Sequence, residues 1–194
     1  MTGGARPEEI EVKIPVADLE VIRRRLPDAG GELARATHAE SNDLFDYPDG
    51  RLSAAGCALR LRRTDGESRL TFKGPPRFEQ GVKTREERET VVGEAGEAEA
   101  ILLRLGLARR FRYEKRREEW RLSGCAVALD ETPIGNFVEV EGDPAGIRRA
   151  VAALALDFAS ATPYSYARLY AMKRKDDPRL PEDMTFGGGV ARGA

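Results

Sequence analysis

The chain has 194 residues, 41% apolar and 34% charged, and its 32 Lys and Arg nearly balance 33 Asp and Glu to leave a net charge of -1. That length suits one domain or two small ones, and the balance removes any general case for nucleic acid or an anionic membrane as partner. One histidine, His38, excludes a histidine triad within the chain, and Cys57 and Cys125 lack CxxC spacing and the companions of a structural zinc site.

The two cysteines therefore read as small buried thiols in a reducing compartment. No segment approaches the roughly 20 apolar residues of a spanning helix, and no long apolar run opens the sequence. A soluble cytoplasmic protein without a membrane partner is the expectation.

Residues Glu9-Ile10-Glu11-Val12-Lys13-Ile14 alternate charged and apolar side chains, so a strand there has one charged and one apolar face. Asp18 can cap a helix that carries Leu19, Ile22 and Leu26 on one side and stops at Pro27. Residues 34 to 47 are ambiguous and end before the turn Pro48-Asp49-Gly50. Residues 58 to 63 and 68 to 73 form a hairpin around Asp65-Gly66, with Arg60 and Arg62 opposite Leu59 and Leu61, and Lys73 opposite Phe72.

Gly74-Pro75-Pro76 interrupts, and a strand resumes at Gly81-Val82 with Lys83, Arg85, Glu87 and Glu89 on one face. A helix holding Glu97, Ile101, Leu102 and Leu105 ends at Gly106, and a long basic strand over 109 to 122 places Phe111, Tyr113, Lys115, Arg117 and Glu119 at even spacing. Strands at 127 to 130 and 137 to 141 follow, the second with Glu139 and Glu141 on one face, then helices at 146 to 156 and 163 to 174. Domain boundaries fall at 1–175 for the folded unit and 176–194 for a poorly ordered or loosely docked tail with Pro178, Pro181 and glycines at 187 to 189.

Each of these strands needs an apolar cover on one side and a polar environment on the other. A sheet curled round a wet, charged channel with helices outside satisfies both, and an open sheet with solvated charged faces is the alternative. In the closed arrangement Glu9, Glu11, Glu139 and Glu141 repel one another unless a cation sits among them, and hard oxygen donors favour Mg2+ or Mn2+. Lys13, Arg60, Arg62, Lys73, Lys83, Arg85, Lys115 and Arg117 outnumber those acids and suit the oxygens of a polyphosphate. Glu87 or Glu89 can orient water or complete the metal's coordination. A structural network of ion pairs is the bland alternative.

This ordered series resembles the CYTH, or triphosphate tunnel metalloenzyme, superfamily, which includes class IV adenylate cyclases, thiamine triphosphatases and inorganic tripolyphosphatases. The resemblance is carried by ExExK at Glu9, Glu11 and Lys13, RxR at Arg60 and Arg62, Lys73 in Thr71-Phe72-Lys73-Gly74, the run through Lys83, Arg85, Glu87 and Glu89, KxR at Lys115 and Arg117, Asp130, and ExE at Glu139 and Glu141. It implies an α+β fold, a closed eight-stranded antiparallel barrel with helices packed outside. It also implies that Lys13, Arg60, Arg62, Lys73, Arg85 and Arg117 bind triphosphate and that Glu9, Glu11, Glu139 and Glu141 match the acidic positions, the last two as direct metal ligands. Asp130 is then a metal contact or the residue that orients Arg117.

The chemistry expected is metal-dependent hydrolysis of a triphosphate-bearing small molecule, with Lys13, Arg60, Arg62, Arg117 and Glu87 acting at the transferring phosphoryl group and Glu89 assisting the metal. ATP cyclisation to cyclic AMP and pyrophosphate is the alternative on the same fold, and a noncatalytic polyphosphate- or nucleotide-binding module is a third. Oligomeric state is open, a homodimer included. His38 reads as a packing or surface histidine.

Overall fold

The computed structural model describes residues 8–79 and 82–187. Its elements are β1 (Glu8–Val16), α1 (Leu19–Asp28), β2 (Glu32–Asp46), α2 (Arg51–Ala54), β3 (Ala58–Thr64), β4 (Glu67–Lys73), β5 (Arg77–Glu79) and β6 (Val82–Val92). There follow α3 (Ala95–Arg104), β7 (Ala108–Leu122), β8 (Cys125–Thr132), β9 (Gly135–Glu141), α4 (Pro144–Ala153), a 3-10 turn (Phe158–Ser160) and α5 (Tyr166–Asp176).

The strand order β1-β9-β8-β7-β2-β3-β4-β6 returns to β1, which closes eight antiparallel strands into a barrel, and β5 pairs with the start of β6 on the side that β4 takes further along. Closure depends on β1 serving two partners. Its first residues, Glu8 to Glu11, pair with β6, and Glu11 to Val16 pair with β9. The expected eight-stranded barrel is therefore the observed one.

Alternation decides which side chains face out. Val12, Ile14, Val127, Leu129, Val138 and Val140 leave the barrel wall and pack with Leu19, Ile22 and Leu26 of α1 and Ile147, Ala150, Val151 and Leu154. A second outer cluster joins Phe45 and Leu61 to Leu102 of α3 and to Leu107. Each fully buried Leu or Ile contributes about 1.5–3 kcal/mol relative to exposure, so these outer seams hold the helices on. The inner face is left to the polar residues between them.

Several local expectations shift. Pro27 lies inside the last turn of α1 and removes one N–H from the helix ladder without ending it; Gly30 at φ +81° and Gly31, whose N–H donates to the Leu26 carbonyl at 2.7 Å, end the helix instead. The ambiguous stretch is a 15-residue strand, β2. Two short elements, α2 and β5, were not anticipated. The helix placed at 146 to 156 begins at Pro144, behind an Asp143 cap, and the one placed at 163 begins at Tyr166, behind a Ser165 cap. Cys125 is buried and Cys57 half-buried, both free.

Residues 177–187 of the predicted tail run along the barrel. Met184 N–H donates to Arg112 O at 2.9 Å, its carbonyl accepts from Glu114 N–H at 2.9 Å, and its side chain is fully buried. The reason is an open edge: β8 reaches only as far as Arg116 of β7, so residues 112–114 of β7 lack a neighbour on that side. Residues 1–7 of the predicted folded unit, Gly81 of the predicted strand and residues 188–194 of the predicted tail lie outside the described residues.

Candidate functional site

The inner faces enclose a cavity of about 1410 Å³. Glu9, Glu11, Lys13, Arg60, Arg62, Lys73, Lys83, Arg85, Glu87, Glu89, Lys115, Arg117, Glu139 and Glu141 all line it. Asp130 lies just behind, fully buried. Six separate strands, β1, β3, β4, β6, β7 and β9, thus bring their polar residues into one volume because a period of two residues points all of them to the same side.

Most of these charges neutralise one another in two groups. In the first, Lys73 Nζ lies 2.8 Å from Glu9 Oε1 and 2.6 Å from Glu87 Oε2, while Arg85 Nε donates to Glu9 at 2.9 Å and Lys83 pairs with Glu11. In the second, Arg117 grips Asp130 at 2.7 and 2.6 Å and also reaches Glu139, Lys115 Nζ donates to Asp130 at 3.0 Å, and Lys13 Nζ lies 3.1 Å from Glu139. Against the upward pull of burial, Lys13 and Arg117 hold the Glu139 carboxyl well below the usual range. Against burial too, Lys73, Glu87 and Arg85 hold Glu9 down.

What these groups leave over is more informative. Arg60 Nε and Asn42 Nδ2 are buried donors with no hydrogen-bond acceptor among the described residues. Burial and the adjacent cations Arg60 and Arg117 lower the Arg62 pKa, although Glu40 opposes them. A buried guanidinium crowded by its own kind calls for an anion.

The opposite surplus stands on the far wall. Glu141 makes no hydrogen bond or ion pair with any described residue, and burial together with Glu9, Glu11 and Glu87 pushes its carboxyl up to about 7. Its side chain is open to water at the barrel wall, so the crowd of like charges is the durable part of that shift. Burial and the neighbouring Glu9 raise the Glu87 pKa as well, although Lys73 opposes them. β3, with Arg60 and Arg62, is four steps from β9, with Glu139 and Glu141, by either route round the eight-strand ring. The two surpluses face each other across the bore.

Register explains how the four predicted acids divide. Glu11 and Glu141 are direct cross-strand partners, whereas Glu139 sits opposite Lys13 and Glu9 opposite Arg85. Asp130 is taken up by Arg117, Lys115 and the Tyr166 hydroxyl, which donates to it at 2.7 Å. Glu89 accepts from Thr71 at 2.7 Å and Arg69 at 2.9 Å, with Arg60 Nη2 at 3.5 Å. Among the described residues no three Asp, Glu, His or Cys form a ready coordination group. The donor set with unmet negative charge, Glu141 beside Glu9, Glu11 and Glu87, nevertheless fits a hard oxygen-seeking cation by its chemistry.

Sequence reasoning missed Glu40, Asn42 and Tyr166. Glu40 is buried, 3.4 Å from Lys115, 3.5 Å from Arg62 and 3.6 Å from His38 Nε2; against burial, Lys115, Arg117, His38 and Arg62 depress its pKa strongly. Asn42 accepts from Arg62 Nε at 3.3 Å. Tyr113, Phe137 and Tyr166 form an aromatic cluster with Tyr170 and Met184. Tyr113, placed by the even spacing of its strand on the same face as Lys115 and Arg117, lines the cavity, and so does Tyr166, so part of the bore is aromatic. His38, expected at the surface or in packing, has its Nε2 3.5 Å from Glu119 on the same polar surface.

No described helix is long and apolar enough to cross a membrane. Comparison with known proteins agrees with the barrel. A protein of Methanocaldococcus jannaschii whose name proposes adenylate cyclase activity is 27% identical over 134 residues, 69% of this chain and 75% of the relative. An X-ray structure from Vibrio parahaemolyticus, also described as a candidate adenylate cyclase, superposes with a TM-score of 0.73 at 22% identity over 84% of this chain and 97% of the other. A Hippeastrum protein, described as a candidate adenylyl cyclase with a dominant triphosphatase activity, gives 0.67 at 18% over 85% and 96%. The CYTH domain model matches residues 7–161, which hold every polar residue of the bore wall discussed above other than Tyr166, and the chain belongs to the CYTH domain family.

Proposed function

We propose that the protein is a divalent-metal-dependent hydrolase of triphosphate substrates such as inorganic tripolyphosphate, thiamine triphosphate or a nucleoside triphosphate. The observation that carries this reading is the pair of opposed surpluses, unmet donors at Arg60 and Asn42 with a crowded Arg62 on one wall, and unmet acid at Glu141 on the other. A structural ion-pair network has no reason to crowd Glu141 against Glu9, Glu11 and Glu87 while leaving a buried guanidinium donor in the same volume without an acceptor among the described residues. A polyanion carrying a divalent cation meets both needs.

In this reading Arg60, Arg62 and Asn42 bind phosphate oxygens, and Lys13, Lys73, Lys83, Arg85, Lys115 and Arg117 surround the chain from the neighbouring walls. The charge that develops at the transferring phosphoryl group is met by Arg60 and Arg62 from one wall and by Lys13 and Arg117, already fixed by Glu139 and Asp130, from the other, so little reorganisation is needed. Glu141, with Glu9 and Glu11, would hold Mg2+ or Mn2+, which when bound supplies Lewis acidity and a neutralising charge, while Glu139 holds Lys13 and Arg117 in place. Asp130 orients Arg117. Glu87, drawn toward its protonated form, orients the attacking water and exchanges its proton, and Glu89 keeps Arg60 in place.

The names of the Methanocaldococcus and Vibrio proteins favour a second reading, cyclisation of ATP. The Hippeastrum protein is described as mainly a triphosphatase despite a similar name, so the name alone does not choose. Incubation with tripolyphosphate, thiamine triphosphate and ATP in Mg2+ or Mn2+ separates the two. Phosphate release supports hydrolysis; cyclic AMP with pyrophosphate replaces it by cyclisation, and binding without turnover leaves a regulatory module.

A further inference from the structure

Residues 162–187 lie beyond the span matched by the CYTH model, yet one of their side chains joins the group of charges around Asp130 in the bore wall. Tyr166, the first residue of α5, is 5% exposed. Its hydroxyl donates to Asp130 Oδ2 at 2.7 Å, the same oxygen that accepts from Lys115 at 3.0 Å and from Arg117 at 2.6 Å. Its ring lies under Lys13 Nζ, 3.9 Å from the centroid, and 5.4 Å from Lys115 Nζ. One phenol thus touches three of the cations that surround the cavity, two through its ring and one through a shared carboxylate.

The segment around Tyr166 is built to hold that ring still. Thr162 N–H donates to the Lys13 carbonyl at 2.8 Å, occupying the edge of β1 that β6 has left, and Lys13 Nζ donates to Tyr164 O at 3.3 Å. On the other flank the Tyr170 hydroxyl donates to Pro181 O at 3.0 Å, which ties α5 to the residues that add to β7 through Met184. Phe137 meets the Tyr166 ring edge-on at 5.2 Å. A ring face attracts an ammonium without neutralising it, whereas a carboxylate there would cancel the charge needed for a phosphate. The hydroxyl, for its part, shares Asp130 Oδ2 with Lys115 and Arg117, so neither cation closes on that oxygen alone.

We propose that Tyr166 is a positioning residue, which keeps Lys13, Lys115 and Arg117 aimed into the bore for the phosphate chain, with residues 177–187 as the strap that holds it there. This rests on the reading of the bore as a triphosphate site. The test uses the full chain with Tyr166→Phe, which retains the ring and removes only the hydroxyl, and Tyr166→Leu, which removes both. Side-chain nitrogen NMR reads proton exchange at Lys115 Nζ and Arg117 Nε without any ligand, and calorimetry with inorganic tripolyphosphate reads affinity.

Exchange at those groups is expected to quicken about tenfold in Tyr166→Phe, and tripolyphosphate affinity to fall about tenfold, the scale of one hydrogen bond to a charged group, with a melting temperature lower by about 3–8 °C. Tyr166→Leu should lose more of both. Unchanged exchange in Tyr166→Phe overturns the proposal, as does unchanged affinity in a chain whose parent binds tripolyphosphate. A parent that fails to bind tripolyphosphate sinks the triphosphate reading instead, and the exchange rates then decide the positioning claim by themselves.

Discussion

Arg60 and Arg62 on β3 and Glu139 and Glu141 on β9 stand on opposite walls, and the comparison shows why counting charges says little about a site. Glu139 is matched by Lys13 and Arg117, yet Glu141, two residues along the same strand and on the same face, has no partner among the described residues. On the other wall Arg60 keeps Nε unbonded while its Nη2 reaches Thr71 at 3.3 Å. Where acid and base are matched the bore is scaffold, and where they are unmatched it is receptive. The largest test of this distinction is to remove Arg60 and Arg62, whose ion pairs among the described residues are all 3.5 Å or longer.

Arg60→Ala and Arg62→Ala are each expected to reduce tripolyphosphate kcat/KM by about 10- to 100-fold, the range for losing a charge-assisted hydrogen bond. Monophosphate binding should fall much less, because one phosphate cannot span the wall. Competition of the two anions against the parent and variant proteins measures this, and an equal loss for both would mean that the bore grips no extended chain.

The next test contrasts neighbours. Glu139→Gln removes a matched acid and leaves Lys13 and Arg117 short of a counter-charge, so it should destabilise the metal-free protein. Glu141→Gln removes a repelled acid and should stabilise it, while weakening metal binding by about 10- to 100-fold or more. The sign depends on pH. A carboxyl raised from about 4.5 to about 7 on folding is protonated in both states below pH 4.5, and its unfavourable charge grows in the folded state as pH rises toward and past 7. The gain from Glu141→Gln should therefore be absent at pH 4.5 and full at pH 8 in thermal melts with chelator. A melting temperature lowered equally by both substitutions at pH 8 would erase the distinction between matched and unmatched acids.

How far all this was legible follows from the same alternation. β1, β3, β4, β7 and β9 announce themselves because an apolar outer face alternates with a charged inner one, and the ordering of their motifs located nearly the whole bore. β2 did not, because Glu40-Ser41-Asn42-Asp43 is polar on both faces: Glu40 and Asn42 look inward, while Asp43 looks outward and is paired there by Arg63 and by Arg112 at 2.7 Å. Extending the alternation back from Leu44-Phe45 would have placed Glu40 and Asn42 inside. Tyr166 had no such signal, since its place depends on where α5 docks, which is set by contacts made far along the chain. The matched or unmatched state of each charge was likewise illegible, because it depends on cross-strand register.

His38 provides the smallest and most local test, on the matched side of the bore. Its Nδ1 lies 3.0 Å from the Ala36 carbonyl, which can only accept, so in the neutral ring Nδ1 carries the proton and the bare Nε2 faces Glu40 at 3.6 Å and Glu119 at 3.5 Å. That arrangement repels until Nε2 is protonated. Interaction with Glu40 raises the His38 pKa accordingly; burial and Arg35 oppose it. A histidine whose folded pKa exceeds the unfolded value of 6.5 adds stability that is full below pH 6.5 and disappears as pH climbs through the folded value. His38→Gln should thus lower the melting temperature by about 1–2 °C more at pH 5.5 than at pH 8.5, the scale of one partly exposed ion pair in a chain of this size. A deficit of the same size at both pH values would mean that the ring is only packed against Glu40, and that the charge matching on this side of the bore is complete without it.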